Sequence, residues 1–320
     1  MPGASGHRAV VSTAPTRLDF GGGWTDVPPY PEERGGFVCN VAIDRFATVR
    51  VSELVEPVDE ALKPPLVRTA LRRAGLDHLA VEVHSDFPVG AGLGGSSALG
   101  VALSAALARW QGRTLTRTEL AEWSRLVEVQ DLGIAGGRQD HYAAAYGGAL
   151  GLRFTGSTTK VESIAMSDRA VDALQAACLL VYTGESRISG DTIRAVLDAY
   201  RARTPRVVGA LERMRTLAEQ MRNALALGDI AQLAALVDEH WTHQRALHPS
   251  ITTERIDALD RSARQAGATA VKALGASGGG CVVVFRPPGD DGRVAAAVSS
   301  YGTLLPWRLA FQGVGVLDSH

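Results

Sequence analysis

Cysteine is scarce in this chain: Cys39, Cys178 and Cys281 are the only three in 320 residues, widely and irregularly spaced, with no Cys-x-x-Cys. That excludes a disulfide framework and a structural zinc site, and leaves the three as small buried apolar residues. An excess of charge of one sign is also missing. Lys plus Arg number 33 and Asp plus Glu 34, a net charge of −1, so no global basic field gathers nucleic acid. No run of about 18 uninterrupted apolar residues occurs, and Met1 to Arg8 has no apolar signal core; neither a membrane span nor a leader is expected, and the chain reads as soluble and cytoplasmic. No internal repeat or low-complexity array is visible. The length is enough for two domains, each with its own core.

Glycine, by contrast, is abundant and concentrated. The run Pro88-Val-Gly-Ala-Gly-Leu-Gly-Gly-Ser-Ser-Ala98 follows the strand-like alternation Leu79 to Asp86 and precedes the apolar helical stretch Leu99 to Trp110. Glycines let consecutive N–H groups converge, and a helix starting near Ser97 adds its positive dipole end, so the run is built to hold phosphate. No lysine follows the glycines as in a Walker loop, and the acidic partner of the dinucleotide fingerprint is not evident. A plain flexible turn capping a core helix is the competing reading.

Around this loop, Val10 to Ser12 and Val38 to Ser52 read as strands separated by the Gly- and Pro-rich stretch Gly21 to Gly36. Pro64 to Gly75 and Thr116 to Leu132 carry helical spacing, with a capping box at Thr116 to Glu119. Ala149 to Phe154, Lys160 to Ile164, Cys178 to Tyr182 and Cys281 to Arg286 read as strands. Long helical stretches fill Gly190 to Gly228 and Ile230 to His248. The pattern turns mainly helical near Asp168 to Ala177, which divides the chain into residues 1–172 and 173–320.

Four further features carry chemistry. In Ala14 to Asp26, three consecutive glycines permit close backbone approach; Asp26 offers a bidentate acceptor for paired sugar hydroxyls and Trp24 a flat apolar face, against the simpler reading of Asp26 as a cap. Glu128, if it faces the same cavity as Ser96, completes an oxygen shell for Mg²⁺; standing alone it is a solvated helix charge. After the break at Gly136 and Gly137, Asp140 suits the task of orienting a hydroxyl or accepting its proton, ahead of the neighbouring His141, while Arg17 suits stabilising phosphoryl charge beside Asp140. Gly275 to Gly280 forms a second glycine cluster leading into a strand. Together these fit ATP-dependent transfer to a hydroxyl.

In this order of motifs the chain resembles the GHMP kinases, named for galactokinase, homoserine kinase, mevalonate kinase and phosphomevalonate kinase. Pro88 to Ala98 matches the family's phosphate motif, Ala14 to Asp26 its N-terminal substrate motif and Gly275 to Gly280 its C-terminal glycine motif. The resemblance implies an α+β fold of two domains, the first like ribosomal protein S5 domain 2 and the second ferredoxin-like, with ATP and Mg²⁺ between them. It implies Asp140 as catalytic base with Arg17 as partner, and Ser96 and Glu128 as metal ligands. It also places ATP against Pro88, Gly90, Gly92, Leu93, Gly94, Gly95, Ser96, Ser97 and Ala98. Substrate would meet Gly22, Gly23, Trp24, Thr25, Asp26, Arg138, Gly278 and Gly279. Gly95 stands where many members have Ser or Thr, which leaves Ser97 as the competitor of Ser96 for the metal.

Within the family, Phe20 to Asp26, Asp131 to Gly148 and Tyr182 to Arg187 look like the D-glycero-D-manno-heptose 7-phosphate kinases, and Trp24 to Pro29 also resembles L-fucokinase domains. Galactokinase is disfavoured, since Gly23 and Trp24 replace its Glu and His. The resemblance implies a sugar 1-kinase whose partner is a small sugar or sugar phosphate, without nucleic acid or membrane. Arg138 is the leading candidate to receive a substrate phosphate, with Arg34, Arg187 and Arg308 behind it. A neutral-sugar kinase is the alternative within the family, and a non-catalytic sugar or nucleotide sensor the alternative outside it.

Overall fold

Two long strands start the fold in this computed structural model, which describes residues 8–54, 63–185 and 190–319. β1 (Ala9–Gly21) continues past the strand expected at Val10 to Ser12 and carries Arg17 and Asp19. It pairs antiparallel with β2 (Gly36–Glu53), the short α1 (Tyr30–Arg34) lying between them. Next come α2 (Pro65–Ala74), closed by a left-handed Gly75, and β3 (Leu79–Ser85). The glycine run leads into α3 (Gly95–Trp110), whose buried face is almost entirely Ala, Leu, Val, Gly and Ser.

The helix expected over Thr116 to Leu132 has two parts. α4 (Arg117–Leu126) begins with the capping box Thr116/Glu119, and the backbone then widens into a π turn, Val127–Asp131, that carries Glu128. α5 (Gln139–Tyr146) follows, then the hairpin β4 (Ala149–Thr155) and β5 (Thr158–Ile164). Besides β1, the eighteen residues of β2 serve two more neighbours, pairing β4 through the first part and β3 through the second.

The region 168–177, where the sequence pattern changes, is itself a helix, α6 (Asp168–Ala177), capped by Ser167. β6 (Cys178–Tyr182) and α7 (Gly190–Arg201) follow. The expected helical stretch 190–228 is broken at Arg203, which has a positive φ, and Pro205 restarts it as α8 (Pro205–Leu227). The rest comprises α9 (Ile230–Leu247), α10 (Glu254–Gln265), β7 (Ala270–Ala273), β8 (Cys281–Phe285), α11 (Arg293–Ser299), β9 (Thr303–Leu305) and β10 (Gly315–Ser319).

Two antiparallel sheets result. One has the order β10-β1-β2-β4-β5 with β3 also on β2; the other is β7-β8-β6-β9. β10 thus returns the end of the chain to the first sheet, beside β1. Leu18, Phe20 and Phe37 of the first sheet share one core with Leu180 and Phe285 of the second and with α8 and α9. The Phe20 and Phe285 rings stand 6.0 Å apart. All three cysteines are buried and free, as expected, and burial pushes the Cys281 thiol up to about 12. No helix among the described residues is long and apolar enough to cross a membrane.

Candidate active site

The two glycine clusters, distant in sequence, interlock. Cys281 N–H donates to the Ala91 carbonyl at 2.7 Å. A Cβ on Gly92 would lie 2.9 Å from the Leu274 carbonyl oxygen, and one on Gly275 would lie 3.1 Å from that of Gly92. Both have positive φ, so this contact admits only glycine without strain. Beside it a cavity of about 230 Å³ opens, lined by Arg17, Trp24, Asp26, Gly92, Gly94, Ser97, Glu128, Gln139, Asp140, His141 and Gly275 among others.

Arg17 and Asp140 meet there. From β1, Arg17 places Nε 2.8 Å and Nη2 2.7 Å from Asp140 Oδ1, and its Nη1 donates to the Gly92 carbonyl at 2.7 Å. Arg17 is 3% exposed and Asp140 26%, so the arginine is fixed and the carboxylate open to the cavity. A Cβ on Gly94 would touch Asp140 Cγ at 3.0 Å, so the carboxylate lies directly against the first glycine cluster.

Asp26 combines both of its sequence readings. Oδ2 accepts from the backbone N–H of Arg138 (2.8 Å) and Gln139 (2.9 Å) and so caps α5, while Oδ1 has no partner among the described residues. A Cβ on Gly137 would fall 2.0 Å from Oδ2, which fixes glycine there. Burial, outweighing those two hydrogen bonds and aided by the charges of Asp140 and Asp19, pushes the Asp26 carboxyl up to about 6. Trp24 holds φ 78°, unusual for a bulky residue; it lines the cavity, and its buried Nε1 has no partner among the described residues. Gly23 also lines the cavity. Gly22 and Thr25 instead shape the loop: Gly22 N–H donates to His240 Nε2 (2.8 Å), and Thr25 Oγ1 donates to the Gly22 carbonyl (2.7 Å).

Glu128 bridges the two serines. Oε1 accepts from Ser96 Oγ at 2.7 Å, and Oε2 from Ser97 Oγ at 3.1 Å and His141 Nε2 at 3.1 Å. Burial alone would raise the Glu128 carboxyl; the hydrogen bond and charge of His141, with those of Ser96 and Ser97, outweigh it and hold the group below its ordinary value. An ionised carboxylate beside two hydroxyls is a hard-oxygen set that fits Mg²⁺, which keeps waters and nucleotide oxygens as its other ligands. Ser96 is solvent-exposed and stands outside the cavity, whereas Ser97 is buried and lines it.

Other expected contacts are not brought together. The Arg138 guanidinium turns away from the cavity to the Gly156 carbonyl (2.7 Å), the Thr158 carbonyl (3.4 Å) and Glu32 (3.4 Å), so it braces the β4–β5 hairpin and leaves only its backbone at the site. Gly278 bonds to the Ile251 carbonyl and Gly279 packs on Glu185; Gly275 and Ala276 line the cavity in their place. Pro88 and Gly90 belong to the outer part of the loop and do not line the cavity. Arg34 pairs with Glu212, Arg308 lies exposed on a separate groove, and Arg187 falls outside the described residues. Sequence reasoning passed over Gln139, although it adjoins Asp140, and Lys272, whose Nζ is wholly buried and donates to Asp19 O (2.8 Å) and Oδ2 (3.3 Å). A lone lysine at the end of a strand gives no sign of that role.

Comparison with known proteins settles the family. Residues 60–148 match the GHMP kinases N terminal domain and residues 218–304 the GHMP kinases C terminal domain. The chain belongs to the GHMP kinase family. As a GHMP kinase it is an ATP-dependent phosphotransferase with the family's fold. It is 26% identical over 320 residues to the bifunctional fucokinase/GDP-fucose pyrophosphorylase of Arabidopsis thaliana, an alignment covering 87% of this chain but 30% of that protein. It is 25% identical to the D-glycero-alpha-D-manno-heptose 7-phosphate kinase of Campylobacter jejuni, over 88% of this chain and 90% of that one. A crystal structure of a D-glycero-D-manno-heptose 1-phosphate kinase from Bacteriodes thetaiotaomicron shares the fold with a TM-score of 0.79 at 23% identity, covering 97% of this chain and 99% of that one.

Proposed function

We propose that this GHMP kinase transfers the γ-phosphoryl of ATP to the anomeric hydroxyl of D-glycero-D-manno-heptose 7-phosphate, giving the 1,7-bisphosphate, in the cytoplasm. The observation that carries the transfer chemistry is the Arg17–Asp140 pair set against the phosphate loop at Gly92 and Gly94. Asp140 Oδ2 takes the proton of the attacking hydroxyl or orients it. Arg17 fixes the carboxylate through Oδ1 and places positive charge beside the transferring group. The N–H groups opening α3 face the triphosphate. Ser96 and Glu128 would hold Mg²⁺, which supplies charge neutralisation between the β- and γ-phosphates when bound. Gly23, Trp24 and Asp26 receive the sugar, Asp26 through its unpartnered Oδ1. In this reading residues 1–172 contribute the phosphate loop and the catalytic pair, and residues 173–320 contribute the second glycine cluster.

The heptose phosphate assignment draws on the Campylobacter relative, aligned along nearly its whole length. A neutral sugar such as L-fucose is the second reading, favoured by the commitment of the Arg138 side chain to Gly156 and by the fucokinase relative. ADP release measured across heptose 7-phosphate, heptose and L-fucose decides between them. The first should give the largest kcat/KM; a larger value for L-fucose would transfer the assignment to the second reading. In the same assay Asp140→Asn should lose about 10²- to 10⁴-fold in kcat with ATP binding intact, and unchanged turnover would remove Asp140 from its role.

A further inference from the structure

His141 is nearly inaccessible, 2% exposed, yet both ring nitrogens are engaged. Nε2 lies 3.1 Å from Glu128 Oε2 and Nδ1 lies 2.9 Å from Ser124 Oγ. An ionised carboxylate can only accept, so the nitrogen facing it carries a proton; in the neutral ring Nδ1 then accepts from the Ser124 hydroxyl. Ser97 Oγ donates to the same Oε2 and lies 3.4 Å from the imidazole Nε2. Ser97 of α3 and His141 of α5 therefore meet on one oxygen of Glu128, and Ser124 of α4 holds the far side of the imidazole. Gly100 belongs to the arrangement, because a Cβ there would fall 2.3 Å from Ser124 Oγ.

The two oxygens of Glu128 are thus unequal. Oε2 has two donors, buried Ser97 and His141, whereas among the described residues Oε1 has only Ser96, which is exposed. Glu128 sits on a π turn, where Leu132 N–H bonds back to the Val127 carbonyl, so regular helix geometry does not by itself aim its side chain.

We propose that His141, held by Ser124, is the positioning residue of Glu128: it clamps Oε2 so that Oε1 and Ser96 face the divalent cation of the nucleotide. This rests on the assignment of Glu128 to the metal and goes beyond it by giving the buried histidine a task other than proton transfer. Neighbours that hold a ligand in place are typically worth about 10- to 100-fold in metal affinity.

The test is Mn²⁺ binding, read by electron paramagnetic resonance, to the protein with a non-hydrolysable ATP analogue. His141→Ala should weaken Mn²⁺ binding about 10-fold or more, while affinity for the analogue without divalent metal stays unchanged. His141→Gln, whose amide can donate to Oε2, should recover most of the loss, and Ser124→Ala should show a smaller loss of the same kind. In the native protein, the imidazole ¹⁵N spectrum at pH 8 should place the proton on Nε2, a readout that needs no variant to fold. Native-like Mn²⁺ binding in His141→Ala and Ser124→Ala, with Glu128→Gln impaired, would overturn the positioning role and leave the metal assignment standing. A neutral ring carrying its proton on Nδ1 alone would overturn it directly. Unchanged binding in Glu128→Gln would overturn the metal assignment itself.

Discussion

Asp26 shows how one side chain can cost stability to serve a site. Its carboxyl, ordinarily at 3.8, is raised to about 6 chiefly by burial, so the ionised form is the less favourable one in the folded chain. The native state therefore holds its proton more tightly than the unfolded chain, and the group's contribution is fully present below about pH 3.8 and lost as pH rises through 6. Asp26→Asn removes that loss while keeping an acceptor for the Arg138 and Gln139 amides. It should raise the melting temperature at pH 7.5, by an amount equivalent at most to about 3 kcal/mol, with the gain vanishing near pH 4, and it should raise KM for the sugar. Scanning calorimetry at the two pH values checks the first part; a variant less stable than the native protein at pH 7.5 would contradict it. At this scale the sequence was informative where a charge had a partner forced by chemistry, as with Arg17 and Asp140. It misled at Arg138, because residue type fixes the charge of a guanidinium but not which of several reachable carbonyls it bonds.

The phosphate loop departs from the family pattern at Gly95, and its surroundings supply a reason. A Cβ at that position would fall 2.3 Å from the ring of Phe87, eight residues upstream at the start of the same loop. The aromatic edge occupies the space that a Ser or Thr would need. Gly95→Ala should therefore destabilise the chain by about 1–3 kcal/mol despite alanine's better helix propensity. In a Phe87→Leu background the same change should cost less than about 0.5 kcal/mol if the ring is the obstacle, since contacting residues couple. Urea unfolding of the four proteins measures this, and equal costs in both backgrounds would exclude Phe87 as the cause. The other departure from regular structure, the π turn at Val127–Asp131, was read in sequence as continuous helix. Helical periodicity tells which residues share a face but does not resolve one widened turn at the end of a helix.

Across the whole molecule, the buried pair of Lys272 on β7 and Asp19 on β1 ties the second sheet to the first beside the Gly21–Gly23 run. Burial lowers the Lys272 ammonium from its ordinary value, with the charge and hydrogen bond of Asp19 opposing the shift. Removing one partner strands a buried charge. Lys272→Met should cost about 3–5 kcal/mol in urea unfolding and, because Asp19 leads straight into the Gly21–Gly23 loop, raise KM for the sugar more than for ATP. Adding Asp19→Asn should return part of the stability; a Lys272→Met protein as stable as the native chain would show that the pair contributes little to the join.

The glycine-rich runs and the order of motifs that marks the family were legible in sequence alone, because close backbone approach depends on consecutive small residues and shows in local composition. Only the tertiary structure decided that Ser96 faces outward and Ser97 inward, that Arg138 braces a hairpin, and that His141 and Lys272 each meet a carboxylate. These outcomes depend on side-chain directions between elements 13 to 253 residues apart. Packing sets such directions, and at those separations it has no local periodicity for a sequence pattern to reveal.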